Sequence, residues 1–317
     1  MPNYQGVWSL STQMQNASAW PRPLDLSRAL VFGGNDGSAN LNTIQYFQIS
    51  TTGDASDFGD LTEASRSQAA VASSTRGVRA GGIAPNAVNT IDYVTIANTG
   101  NATDFGDLSS VSNYNSGASN NTRGIIQLGF TTAYSNVVEY ITIANTGNST
   151  DFGDRSLVVA YGMGCESTTR AIFSGGYSPS PGDVNIIAYF TIASTGNDTD
   201  FGDLTIARYA GAGCSSLTRG VFAGGNGSGQ NVIDYITMAS TGNATDFGDL
   251  SGGSGTLYLG GTSNKTRGVF PGGNSGGATN KIELITIATT GNATDYGDLL
   301  SAANETCATS NGHGGIA

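Results

Sequence analysis

The ten residues TGNATDFGDL fill positions 99–108 and recur letter for letter at 241–250. Variants stand at 52–61 (TGDASDFGDL), 146–155 (TGNSTDFGDR), 195–204 (TGNDTDFGDL) and 290–299 (TGNATDYGDL). The first aspartate of each copy falls at Asp57, Asp104, Asp151, Asp200, Asp246 and Asp295, a period of 46 to 49 residues. A DFG that binds magnesium in a kinase occurs once, beside an upstream lysine strand and an HRD loop. Neither companion occurs in this chain. Six copies at a fixed period are an architectural part.

Two further motifs keep step with the decapeptide. One reads SRALVFGG, TRGVRAGG, TRGIIQLGF, TRAIFSGG, TRGVFAGG and TRGVFPGG, with arginines at Arg28, Arg76, Arg123, Arg170, Arg219 and Arg267. The other alternates, as in NVIDYITMAS at 231–240, and carries Tyr46, Tyr93, Tyr140, Tyr189 and Tyr235, with Leu284 in the last copy. Each repeat thus holds four short apolar stretches separated by Gly, Asn, Ser and Thr, the residues of turns. Four strands per repeat of this length are the signature of a propeller blade, and no polar capping repeat argues for an open solenoid.

Six copies predict six blades over 25–309, between an arm at 1–24 and a tail at 310–317. Repeat one lacks the small-residue strand that precedes Arg28 in the others. The segment LSAANETCATSN supplies that character after the sixth copy, so it is expected to complete the first blade beside Leu30–Gly34. The expected fold is all-β, a six-bladed propeller closed by its C-terminal strand.

The chain has 317 residues, of which 38% are hydrophobic, 12% charged and 47 glycine, with a formal net charge of −11. An acidic surface repels phosphate backbones, which argues against a nucleic-acid partner. No 18-residue apolar run spans a membrane, and MPNYQGVWSL lacks the basic and apolar regions of a secretory signal. Cys165 and Cys214 precede their motif arginines by five residues, a register that holds Val71, Ala118 and Thr262 elsewhere, with Cys307 at the matching place after the last repeat. Sulfurs in separate blades do not meet the ~7 Å Cα limit of a disulfide, so all three read as free, buried thiols.

The order apolar run, Gly-Gly, tyrosine, then an aromatic about twelve residues on resembles the kelch repeat. The usual closing tryptophan is replaced by Phe58, Phe105, Phe152, Phe201, Phe247 and Tyr296. With TGNATDFGDL attached, the unit resembles kelch-like repeat proteins of marine bacteriophages, found among virion components. That resemblance implies a non-enzymatic structural protein of the virion, present in several copies, with other virion proteins and host-surface glycan as partners.

Candidate sites follow from departures from the repeat. The arm holds both tryptophans, Trp8 and Trp20, with Tyr4, Leu10 and Met14, and is expected either to dock on another virion protein or to plug the propeller. Tyr134, Tyr161, Tyr177, Tyr209 and Tyr258 stand outside the consensus, suited to sugar or protein contact or to filling gaps between blades. The motif arginines are expected to brace DFGD aspartates or cap turns, with an anion site as the alternative. Each TGN is expected to be a tight turn whose Asn bonds its own backbone, and each DFGD glycine to permit a bulge or a close backbone approach. The aspartates with nearby oxygens make calcium the candidate ion; no other cofactor is expected. His313, the only histidine, reads as a solvated tail residue, and no nucleophile–base pair is evident. Paired carboxylates keep a glycosidase open by residue type, although six-fold repetition is unlike a catalytic pair.

Overall fold

A computed structural model describes residues 27–226, 231–251 and 256–316. The arm residues Tyr4, Trp8, Leu10, Met14 and Trp20 lie outside the described residues. No helix occurs among the described residues, and six four-stranded antiparallel sheets form the blades of a β-propeller. Blade 2 is representative: Ala69–Ala72 innermost, then Arg76–Ala84, Asn86–Thr95 and Thr103–Asp107 outermost. Blade 1 is assembled from distant parts. Its innermost strand, Cys307–Ser310, pairs with Arg28–Asn35 in the register Leu30↔Thr309, Val31↔Ala308 and Phe32↔Cys307.

Each blade faces a neighbour on both sides, so both faces of its strands are covered. This is why the alternating run is apolar in both directions: Ile233 and Ile236 are buried towards opposite neighbours. The buried apolar side chains fall into six clusters, one per seam. Phe105 packs in the seam between blades 2 and 3 with Val78, Ile126 and Ile141, and meets Tyr93 of its own blade edge-on at 5.9 Å.

The decapeptide does more than place that ring. In every blade its TGN segment bonds to the DFGD of the blade before. Gly100 donates to the Phe58 carbonyl (2.7 Å) and Ala102 to that of Asp60 (2.7 Å). Asp60 N–H donates in return to Asn101 Oδ1 (3.0 Å). The side-chain bond recurs at Asn148, Asn197, Asn243 and Asn292, and at the closing seam with Asp54 in place of Asn. The Asn therefore bonds the neighbouring blade and not its own backbone, because the preceding DFGD brings an N–H within its reach.

Gly106 has φ +148° and sits at a bulge, where Ile91 pairs with Gly106 and Asp92 with Asp104, leaving Phe105 unpaired. A Cβ on Gly106 would stand 2.5 Å from the backbone of Gly147 in the next TGN. Bulge and close approach thus occur together.

The motif arginines do not brace the DFGD aspartates. Each guanidinium crosses a seam to carbonyls that end a strand of the next blade: Arg28 to Ile96 (2.8 Å), Arg123 to Ile192 (2.9 Å), Arg170 to Met238 (2.9 Å) and Arg267 to Ser50 (2.8 Å). Arg76 and Arg219 do the same to Ala144 and Ala288. Five of them also lie over the repeat tyrosine, 4.5 to 4.8 Å from its centroid. The sixth repeat has Leu284 in place of that tyrosine. Unpaired strand-end carbonyls attract a fork of N–H donors. Asp57, Asp104, Asp151, Asp200, Asp246 and Asp295 stay exposed on the outer strands.

Residues 312–316 are buried, contrary to a solvated tail. They close the end of the channel opposite the Gly-Gly loops. His313 is 2% exposed, with Nδ1 2.9 Å from Glu166 of blade 4 and Nε2 3.2 Å from the Ala72 carbonyl of blade 2. Cys165, Cys214 and Cys307 are free and buried; burial pushes the Cys307 thiol up to about 12.

Two stability tests follow. A chain ending at Ser310 should unfold in one transition at a lowered Tm, whereas one ending at Thr306 should lose cooperative unfolding in a thermal melt, since it lacks the strand that closes blade 1. Gly106→Ala should cost about 3 kcal/mol or more in urea denaturation, combining steric overlap with strain. Gly37→Ala, where φ is +99° but nothing lies within 4 Å, should cost only about 1 kcal/mol.

Candidate functional site at the mouth of the channel

The antiparallel order puts two sets of connections on one face: the loops after Gly-Gly, and the links from each outermost strand to the next innermost strand. Each link delivers one residue to the axis in the left-handed conformation: Ser67, Tyr114, Tyr161, Ala210, Tyr258 and Glu305, with φ of 53° to 60°. Such a conformation is uncommon for non-glycine residues, costs of order 1–3 kcal/mol each and persists only where the surroundings fix it. A closed cycle of backbone hydrogen bonds fixes it. Tyr114 donates to Ser67, Tyr161 to Tyr114, Ala210 to Tyr161, Tyr258 to Ala210, Glu305 to Tyr258 and Ser67 to Glu305, over 2.6 to 3.2 Å.

Above this cycle the tyrosines converge. Tyr114 and Tyr161 stack at 3.9 Å. Tyr161 also contacts Tyr209 (5.5 Å) and Tyr258 (6.0 Å). Tyr177 bridges Tyr209 (5.5 Å) to Tyr134 (5.7 Å), which extends the patch over the Gly-Gly loops. All five tyrosines expected from sequence therefore belong to one surface, partly exposed. Tyr114, Glu305, Ser67 and Gln68 were missed. The signal was the equivalence of the axial positions, at intervals of 47, 47, 49, 48 and 47 residues.

The polar part of the mouth carries little net charge. Glu305 pairs with Arg66 at 2.7 Å and also accepts from the Ser67 hydroxyl. Burial, then the nearby Glu305, Tyr209 and Tyr114, pushes Tyr258 up to about 12, against a smaller opposing effect of Arg66. Burial, followed by a hydrogen bond with Tyr114, raises Tyr161 further. A cavity of about 70 Å³ opens inside the ring. Below it the innermost strands present Ala70, Gly117, Gly164, Gly213, Gly261 and Ala308, and a methyl on Gly164 or Gly213 would strike the neighbouring strand.

Among the described residues no three Asp, Glu, His or Cys side chains converge on a metal position; the two aspartates of each DFGD copy share one outer strand, and different copies lie in separate blades. Three buried ion pairs lie away from the mouth: Arg79–Asp92 (2.6 Å), Arg208–Asp234 (2.7 Å) and Arg155–Asp198 (3.9 Å). Among the described residues no helix is long and apolar enough to cross a membrane. No family model matches this chain, and no curated protein matches it. Fold and site together define a β-propeller with an aromatic channel mouth.

The mouth makes stability sensitive to alkali. A tyrosine raised above its unfolded value of about 10 keeps its proton longer in the folded chain. The linked stability is full below pH 10 and is lost as pH rises towards 12. Urea midpoints measured from pH 8 to 11.5 should fall above pH 10, and Tyr258→Phe should shrink that fall.

Proposed function

We propose that this chain is a non-enzymatic recognition propeller of a bacteriophage virion. Its tyrosine face contacts host-surface glycan, and residues 1–24 attach it to other virion proteins. The observation that supports glycan contact is the gathering of six tyrosines, from links and loops of separate blades, around a strained axial ring. Tyrosine offers an apolar face to sugar C–H groups and a hydroxyl for hydrogen bonding. Strained backbone at a surface concavity is characteristic of ligand clamps. The kelch-like and virion parts of the reading rest on the repeat resemblance.

Glycan binding by the purified propeller is the direct test. On an array of bacterial surface polysaccharides, the native chain should bind a defined subset. Tyr134→Ala and Tyr177→Ala, which alter loop residues away from the axial cycle, should each weaken binding about tenfold without lowering Tm. Binding to virion proteins with no glycan binding would indicate an adaptor propeller. Turnover of a polysaccharide would indicate an enzyme.

A further inference from the structure

The axial cavity differs from the tyrosine surface around it. Gln68 and Thr306 line both this cavity and the channel segment beneath it. They are 4% and 8% exposed. Gln68 donates its amide N–H to the Phe32 carbonyl (2.9 Å), which fixes the orientation of the amide. Its Oε1 and the Thr306 Oγ1 are buried without a protein partner. Unpaired buried polar atoms are costly, so a ligand group that pairs with them gains affinity.

We infer that the cavity is a subsite for the exocyclic hydroxymethyl group of a neutral hexose, whose ring rests on the surrounding tyrosines. The inference rests on the glycan reading and specifies its ligand. Size is the first argument. A water needs about 10–15 Å³ of such volume, so about 70 Å³ holds roughly five to seven water-sized groups, enough for a hydroxymethyl group with its water and too few for the twelve heavy atoms of a whole hexose. Chemistry is the second. Gln68 Oε1 accepts only and calls for a donor, while Thr306 Oγ1 both donates and accepts. A hydroxyl meets both demands. A carboxylate opposes the acceptor oxygen, and Arg66 beside the mouth is held by Glu305. An ammonium group would need a free carboxylate, and Glu305 at the cavity is already engaged by Arg66 and the Ser67 hydroxyl. Placement is the third. Tyr114, Tyr161 and Tyr258 stand on three of the six axial positions that frame the cavity, so a ring stacked there points one substituent down the axis. The small-residue strands limit how deep it reaches.

Titration calorimetry of the full chain with methyl glucoside, galactoside, mannoside, xyloside and glucuronide tests this. At least one hexoside should bind ten-fold or more tighter than the xyloside, which lacks the hydroxymethyl group, and than the glucuronide, which carries a carboxylate there. Thr306→Val should remove that preference at unchanged Tm, and Thr306→Ser should keep it. A xyloside bound as tightly as every hexoside overturns the inference. So does a Thr306→Val chain, folded by its melt, that retains the preference. In both cases binding that still depends on Tyr177 leaves the glycan reading standing. No detectable binding of any saccharide, here and on the polysaccharide array, overturns the glycan reading itself.

Discussion

The seam between two decapeptides is the interaction on which the molecule depends. One side offers the carbonyls of Phe and Asp and an aspartate N–H; the other offers two N–H groups and an asparagine oxygen. The surfaces are complementary to each other but different, a heterologous contact that either closes into a ring or extends without limit. Closure after six copies is what makes it a molecule. Both sides must be carried by every blade, which explains why one ten-residue stretch is held nearly constant while the rest of each repeat drifts. At the seam between blades 6 and 1 the partners are Tyr296 and Asp54 instead of Phe and Asn, and the bond pattern persists. The extra hydroxyl reaches the Thr51 carbonyl at 2.5 Å.

Compensation within a seam shows how strictly this pattern is kept. In most blades a buried polar residue of the third strand accepts from the residue after the preceding decapeptide: Asp92 from Thr62, Asp234 from Thr205, Glu283 from Ser251, Gln45 from Leu300. Blade 4 has Ala188 there. Its decapeptide reads TGNDT, and Asp198 accepts from Ser156 in place of the missing acid (3.0 Å). The same Asp198 faces Arg155, which stands where other copies have leucine. Two apparent irregularities in the repeat are one substitution spread over two blades.

Much of this was legible from the sequence because it is local and periodic. Strand count, blade number and the aromatic of the seam follow from spacing and turn chemistry. What failed were inferences about partners. For Arg28 and its equivalents the sequence left open bracing of the DFGD aspartates or capping of turns; they cap the turn after a strand of the next blade, and no charge pattern reveals which blade. His313 looked free because it follows the last repeat, and the channel end that receives it exists only once the ring has closed. The tyrosines stood out as departures from the repeat. Their convergence depends on the axis, where positions some 47 residues apart become neighbours.

That distinction separates scaffold from site. At the rim, six positions are nearly identical because each must fit a copy of itself. At the axis, the six equivalent residues are Ser, Tyr, Tyr, Ala, Tyr and Glu. Their backbones are held by the cycle of hydrogen bonds, so the fold places no demand on their side chains beyond tolerance of a positive φ. Glycine would meet that tolerance most cheaply, and none of the six is glycine. Three large aromatic residues stand at strained positions, next to a glutamate already engaged by Arg66. Strain accepted where a strain-free residue is available indicates that the side chains themselves are what the axis is built to present.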